Sequence, residues 1–150
     1  MLTRLARRSP RELALLAEAF GCLGAARLAA RFLPFSWVMD PARAPVRRRR
    51  APTPQAQDNA VRDVRWAIFA VARAAPFRAA CLQQSLAARA MLARRGVETL
   101  LNLGAAMGEA RQLEAHAWLS RDETVIVGAG PVERFARLAT FAPERAEGAA

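Results

Sequence analysis

Cys81 and His116 are the two residues whose types and spacing could do covalent chemistry in this chain. A nucleophilic thiol needs a base to take its proton, and His116 is the only imidazole the 150 residues offer. The histidine follows the cysteine by 116 − 81 = 35 positions. An apolar helical pattern, a glycine stop and an alternating segment lie between them. A thiol on a helix followed by a base on a strand is an arrangement for acyl transfer, by a cysteine hydrolase or a transferase.

The elements that must position the pair follow from the pattern. Cys81 falls in the first turn of a helix predicted from about Arg78 to Arg95, with Leu82, Leu86, Met91 and Leu92 apolar and Gly96 as its stop. Unpaired N–H groups and the positive end of the helix dipole favour a thiolate there, and Arg78 adds positive potential. The N–H groups near Cys81 and Leu82 could receive a developing oxyanion. The plainer alternative is that Cys81 is a small buried apolar residue. Gln83 and Gln84 follow it, either to touch substrate or to serve as helix surface and a buried hydrogen bond. His116 lies in the alternating run Leu113 to Leu119. In a strand, Glu114, His116 and Trp118 share one face, and Ala115, Ala117 and Leu119 share the other. Trp118 would either wall a site from water or fill the core.

Ser9, Pro10 and Glu12 mark the start of a first helix that runs to about Phe32, with Leu13, Leu16, Phe20, Leu23, Ala26 and Ala30 at helical spacing. Gly21 and Gly24 are expected to let another helix approach. Pro34, Pro41 and Pro45 open an irregular link that contains the run Arg47–Arg50. Thr53 and Pro54 open a second helix to about Ala74, with a broad apolar face at Val61, Val64, Ile68 and Val71, and Trp66 and Phe69 alongside. After Gly96 the period becomes alternating. Strands are predicted at 97–105, 112–120 and 124–127, with turns at Met107–Glu109 and Arg121–Glu123. A short helical or irregular tail is expected around Val132 to Phe141, and disorder from Glu144. Helices first and an antiparallel meander after them make an α+β domain, with N-terminal helices packed on a small sheet. One domain is expected over 1–150. It comprises a helix and Arg/Pro-rich link at 1–52, a core at 53–142 and a tail at 143–150.

The chain has 23 basic residues against 13 acidic ones, and every basic residue is arginine. The net charge of +10 suits nucleic acid, an anionic surface or an acidic peptide. The arginines are scattered, however, and the one run lacks interleaved aromatics, so nucleic acid is not the expected partner. Cys22 and Cys81 cannot make a disulfide framework. No metal-ligand spacing is present, and neither metal nor cofactor is expected. Glu18, Arg27 and Arg31 make the stretch from Leu13 to Leu33 too polar for an expected span, so a cytoplasmic protein is predicted, with peripheral membrane contact left open.

The segment from Cys81-Leu-Gln-Gln-Ser-Leu to Arg95-Gly-Val97, then Leu103-Gly104 and Ala115-His-Ala-Trp-Leu119, resembles the lasso peptide biosynthesis B protein family. The resemblance covers about Trp66 to Phe141, and the N-terminal helix ending in Leu33-Pro34-Phe35 also looks like that family. It implies a transglutaminase-like, papain-like cysteine peptidase core that removes the leader from a ribosomally made precursor, with Cys81 and His116 catalytic. It further implies the split form without a leader-recognition domain, and therefore three partners: the lasso precursor peptide, a small leader-binding protein and the lasso cyclase. The family's third catalytic residue is an Asp on the strand after the histidine. A hairpin turning at Arg121–Glu123 places 127–129 opposite His116, where no acid stands. Asp122 at the turn is too far, so Glu114 or a backbone carbonyl remains, and the third residue is left open. A transglutaminase-like binding module without catalysis is the alternative function, and a basic nucleic-acid-binding protein a further one.

Overall fold

The computed structural model describes residues 8–40, 52–128 and 130–142. The Arg47–Arg50 run, the tail from Glu144 and most of the basic start at Met1–Arg8 lie outside the described residues.

Ser9 caps α1 (Pro10–Phe32) reciprocally with Glu12: the serine Oγ accepts from the Glu12 N–H, and the Glu12 carboxylate accepts from the Ser9 N–H at 2.8 Å. The buried stripe is Ala19, Leu23 and Ala26, while Leu13 and Phe20 stay largely exposed, unlike the expected face. Beside that stripe Glu18 accepts from Arg95 Nη2 at 2.6 Å and Arg94 Nη2 at 2.8 Å. Gly21 and Gly24 were expected to admit another helix, but a Cβ at either would meet nothing within 4 Å. By length and composition alone α1 is long and apolar enough to cross a membrane, with an 18-residue window of mean hydropathy 1.6.

The Arg95 and Arg94 hydrogen bonds, opposed by partial burial, hold the Glu18 carboxyl below its ordinary value of 4.5, the Arg95 bond being the largest cause. A depressed folded value contributes stability that is full above the ordinary value and is lost as pH falls through the folded one. Glu18→Gln is therefore expected to lower stability at pH 7 by about 1 kcal/mol, the site being partly exposed. The difference from wild type should shrink as pH falls below the ordinary value of 4.5 and vanish once the folded carboxyl is protonated, read as Tm against pH.

A short helix, α2 (Phe35–Met39), occupies the link that sequence reading left irregular, anchored by buried Met39. Thr53 caps α3 (Pro54–Ala74), which buries Val64, Ala67, Ile68 and Val71. The central helix α4 (Cys81–Ala93) contacts α1, α3 and the sheet. It ends at Ala93, two residues before the expected Arg95, and Gly96, with φ 73°, closes the following turn while the Val97 N–H bonds the Leu92 carbonyl.

The sheet is α4's other neighbour. It comprises β1 (Leu100–Met107), β2 (Leu113–Arg121), β3 (Thr124–Val127) and β4 (Ala136–Phe141), all antiparallel in the order β3-β2-β1-β4. The first two strands begin later than predicted, and the expected helical or irregular tail is instead a single 3-10 turn, Val132–Arg134, followed by the edge strand β4. Buried Asn102 fixes the register of three strands. It donates to Ser120 Oγ at 3.0 Å on β2 and accepts from Thr140 Oγ1 at 2.9 Å on β4. Leu101, Leu119 and Val127 join Leu23, Ile68, Met91 and Leu92 in one core, so helices and sheet form an α+β fold around it.

Candidate active site

Cys81 is the first residue of α4, three residues later than the predicted start. The shift has a local cause. Gln83 Oε1 accepts from the Ala80 N–H, and Gln84 Nε2 donates to the Ala79 carbonyl at 2.7 Å, which keeps 79–80 extended outside the helix. Both glutamines thus hold the backbone that delivers the cysteine, whereas the plainer expectation is helix surface for one and a buried hydrogen bond for the other.

The start of α4 differs from the other two long helices. Ser9 and Thr53 each bond an amide of the first turn, whereas the cap of α4 is Ala80, which has no acceptor side chain. Among the described residues, the N–H groups of Cys81, Leu82 and Gln83 have no protein acceptor. Three amides at the positive end of a helix, beside a half-buried thiol, can stabilise negative charge on sulfur or on a substrate oxygen. Arg27 lies close by, donating to the Arg78 carbonyl at 3.0 Å.

One helical turn after Cys81, and on the same face, buried Ser85 donates to the Ala117 carbonyl at 3.4 Å. Ala117 adjoins His116. A Cβ on Gly128 would lie 2.5 Å from that same carbonyl oxygen. The first turns of α4, β2 at 116–117 and the residue after β3 therefore converge at one place. They can do so because β3 stops pairing with β2 at Leu119–Val127, which leaves the edge of β2 open beside Ala117. Among the described residues, no hydrogen bond joins Cys81 Sγ to His116.

His116 is half-buried, and its Nε2 lies 2.8 Å from the Gly128 carbonyl. A carbonyl oxygen only accepts, so Nε2 carries the proton, and the neutral ring presents Nδ1 as its free basic nitrogen. That is the tautomer a general base needs. Of the candidates for the third role, the backbone carbonyl occupies the position. Asp122 sits at the hairpin tip with φ 51°, its side chain 90% exposed. Glu114 bonds Arg134 Nη2 at 2.7 Å.

The rings around the imidazole were only partly foreseen. Trp118 is buried beside it on the same face, its ring near-parallel to the imidazole with centroids 6.0 Å apart. Phe135 stacks on it at 5.0 Å and 29°. Gly104, opposite His116 in the β1–β2 register, leaves space for both: a Cβ there would sit 2.9 Å from Trp118 Cζ3 and 3.0 Å from Phe135 Cβ. Sequence reading missed Phe135 because its segment was taken for a helical or irregular tail. The only signal was an aromatic at the start of an alternating run. Cys22, the other thiol, is on α1 and accepts from Arg94 Nη2 at 2.9 Å.

A protein-family model described as the transglutaminase-like superfamily matches residues 22–140 of the 150. Comparison with curated proteins and with solved structures gave no significant match.

Proposed function

Because the chain belongs to the transglutaminase-like superfamily, which includes cysteine peptidases, we propose that it is a leader peptidase of lasso peptide maturation. The observation that carries an enzymatic reading is the convergence at β2: a helix that starts uncapped at Cys81 bonds through Ser85 to Ala117, the strand residue after a histidine whose Nε2 is tied to Gly128. The motifs Cys81-Leu-Gln-Gln-Ser-Leu86 and Ala115-His-Ala-Trp118 support the narrower substrate.

In the proposed reaction, His116 Nδ1 takes the Cys81 proton, and the thiolate adds to the scissile carbonyl carbon near the leader–core junction. The amides at the start of α4 receive the oxyanion. The C–N bond then breaks, and the imidazolium gives its proton to the departing amine. Water attacks the thioester, with Nδ1 taking its proton, and the leader acid leaves as the thiol is restored. A separate leader-binding protein delivers the precursor, and the cyclase takes the freed core. The net charge of +10 favours docking of acidic leader or partner segments. The setting is cytoplasmic.

The test is cleavage of a lasso precursor by the purified chain together with a leader-binding protein. The expected result is release of the leader, with a covalent adduct of the leader's mass on the Cys81 peptide after an acid quench. An intact precursor and no adduct would remove the reading. One observation favours a second reading, a binding module without turnover: no carboxylate is bonded to His116 among the described residues. That module would bind precursor with an affinity unaffected by alkylation of Cys81, and would leave the precursor whole.

A further inference from the structure

His116 is held by a weaker acceptor than a carboxylate. A hydrogen bond to an ionised acceptor is roughly twice as strong as one to a neutral carbonyl. An imidazole turns readily about its terminal torsion, and a half-turn puts a ring carbon where each nitrogen was. The Gly128 carbonyl alone therefore leaves the ring's orientation under-determined, and the segment after β3 supplies the rest. The turn Val132–Arg134 brings the chain back over the His116 face of the sheet. Arg134 Nη2 is fixed on Glu114 Oε2 at 2.7 Å, two residues before His116 on the same strand face. The next residue is Phe135, whose ring lies on the imidazole. The Arg134 guanidinium also lies 5.5 Å over the Phe135 ring, so both ends of the contact are braced. Gly104 provides the space in which Phe135 seats.

We infer that Glu114, Arg134 and Phe135 form a clasp that fixes the orientation and tautomer of His116, to which no carboxylate is bonded among the described residues. They are positioning residues, and the assignment rests on His116 being the base. It gives Glu114 a role other than the direct orienter: its carboxylate serves Arg134, and its effect reaches the imidazole through Phe135. The ion pair is exposed enough (side chains 37% and 48%) to add little to global stability, so breaking it leaves the fold intact.

A single histidine makes the test specific, because the protein's imidazole NMR signals come from one residue. Long-range 1H–15N spectra of the wild type should show the Nε2–H tautomer, with ring protons shifted by Phe135. Glu114→Gln and Phe135→Leu should mix the tautomers and move those shifts while Tm holds. In the cleavage assay Glu114→Gln should lower kcat by about tenfold with KM unchanged. The exchanged pair Glu114→Arg with Arg134→Glu should restore both readouts. Unmoved His116 signals in Glu114→Gln and Phe135→Leu would overturn the clasp, as would an exchanged pair that restores nothing. The spectra do not depend on turnover. Variants that show the tautomer changes beside a wild type that never cleaves would sink the peptidase reading alone; a cleaving wild type whose variants leave the spectra unmoved would sink the clasp alone.

Discussion

Cys81→Ala is expected to abolish leader release, with a loss of about 10⁴-fold or more, because the covalent step has no substitute nucleophile. Cys22 cannot replace it: that thiol lies on α1, bonded to Arg94, away from β2. Alanine is well tolerated at a helix start, and Cys81 is only partly buried, so the variant should fold and keep its Tm within a few degrees. The amides at the start of α4 are backbone groups and survive the change. Precursor binding should therefore persist while turnover disappears, which separates a lost nucleophile from a lost site. His116→Ala should be nearly as severe, since no other imidazole exists in the chain. Cleavage by Cys81→Ala at the wild-type rate would show that any peptidase activity comes from elsewhere.

How far the sequence carried this site depends on the kind of signal each part leaves. The two long helix starts were legible because they are written locally, in Ser9 to Glu12 and in Thr53–Pro54, and the Gly96 stop likewise. The three strands of the meander were legible from alternation, although their ends shifted by up to three residues, because pairing partners rather than propensity decide where a ladder begins. What could not be read was set by tertiary contact. The face that α1 buries is set by partners far along the chain, and its Glu18 meets Arg94 and Arg95, which lie more than seventy residues away. β4 became a strand because the edge of β1 needed a partner, and four of its six residues are exposed, so it carries little hydrophobic signal. The place opposite His116 was correctly located by counting from the hairpin, and the count also showed that no acid stands there. Only coordinates reveal that a carbonyl fills it, since every residue has one.

Gly128→Asp is the substitution that would put the missing acid opposite His116, and it is expected to damage the protein instead of completing a triad. Gly128 has φ 82°, a conformation that side chains rarely adopt. A Cβ there would lie 2.5 Å from the Ala117 carbonyl oxygen and 2.8 Å from Trp118 Cα, both backbone atoms that cannot swing aside. Strain and overlap together should cost about 3 kcal/mol. For a domain of this size that corresponds to a Tm lower by roughly 10 °C. The relief available to the chain is to move residue 128 away from β2, which withdraws its carbonyl from His116 Nε2 and frees the ring to turn. Leader cleavage should then fall, in kcat more than in KM, and the His116 spectra should show mixed tautomers. Gly128→Ala, which carries the same Cβ without a carboxylate, should lose nearly as much stability and activity. Agreement between the two variants assigns the damage to the backbone. If Gly128→Asp instead cleaved faster than wild type at an unchanged Tm, a carboxylate would fit where the carbonyl now sits. The site would then be a triad lacking one member, and not a dyad built around a glycine.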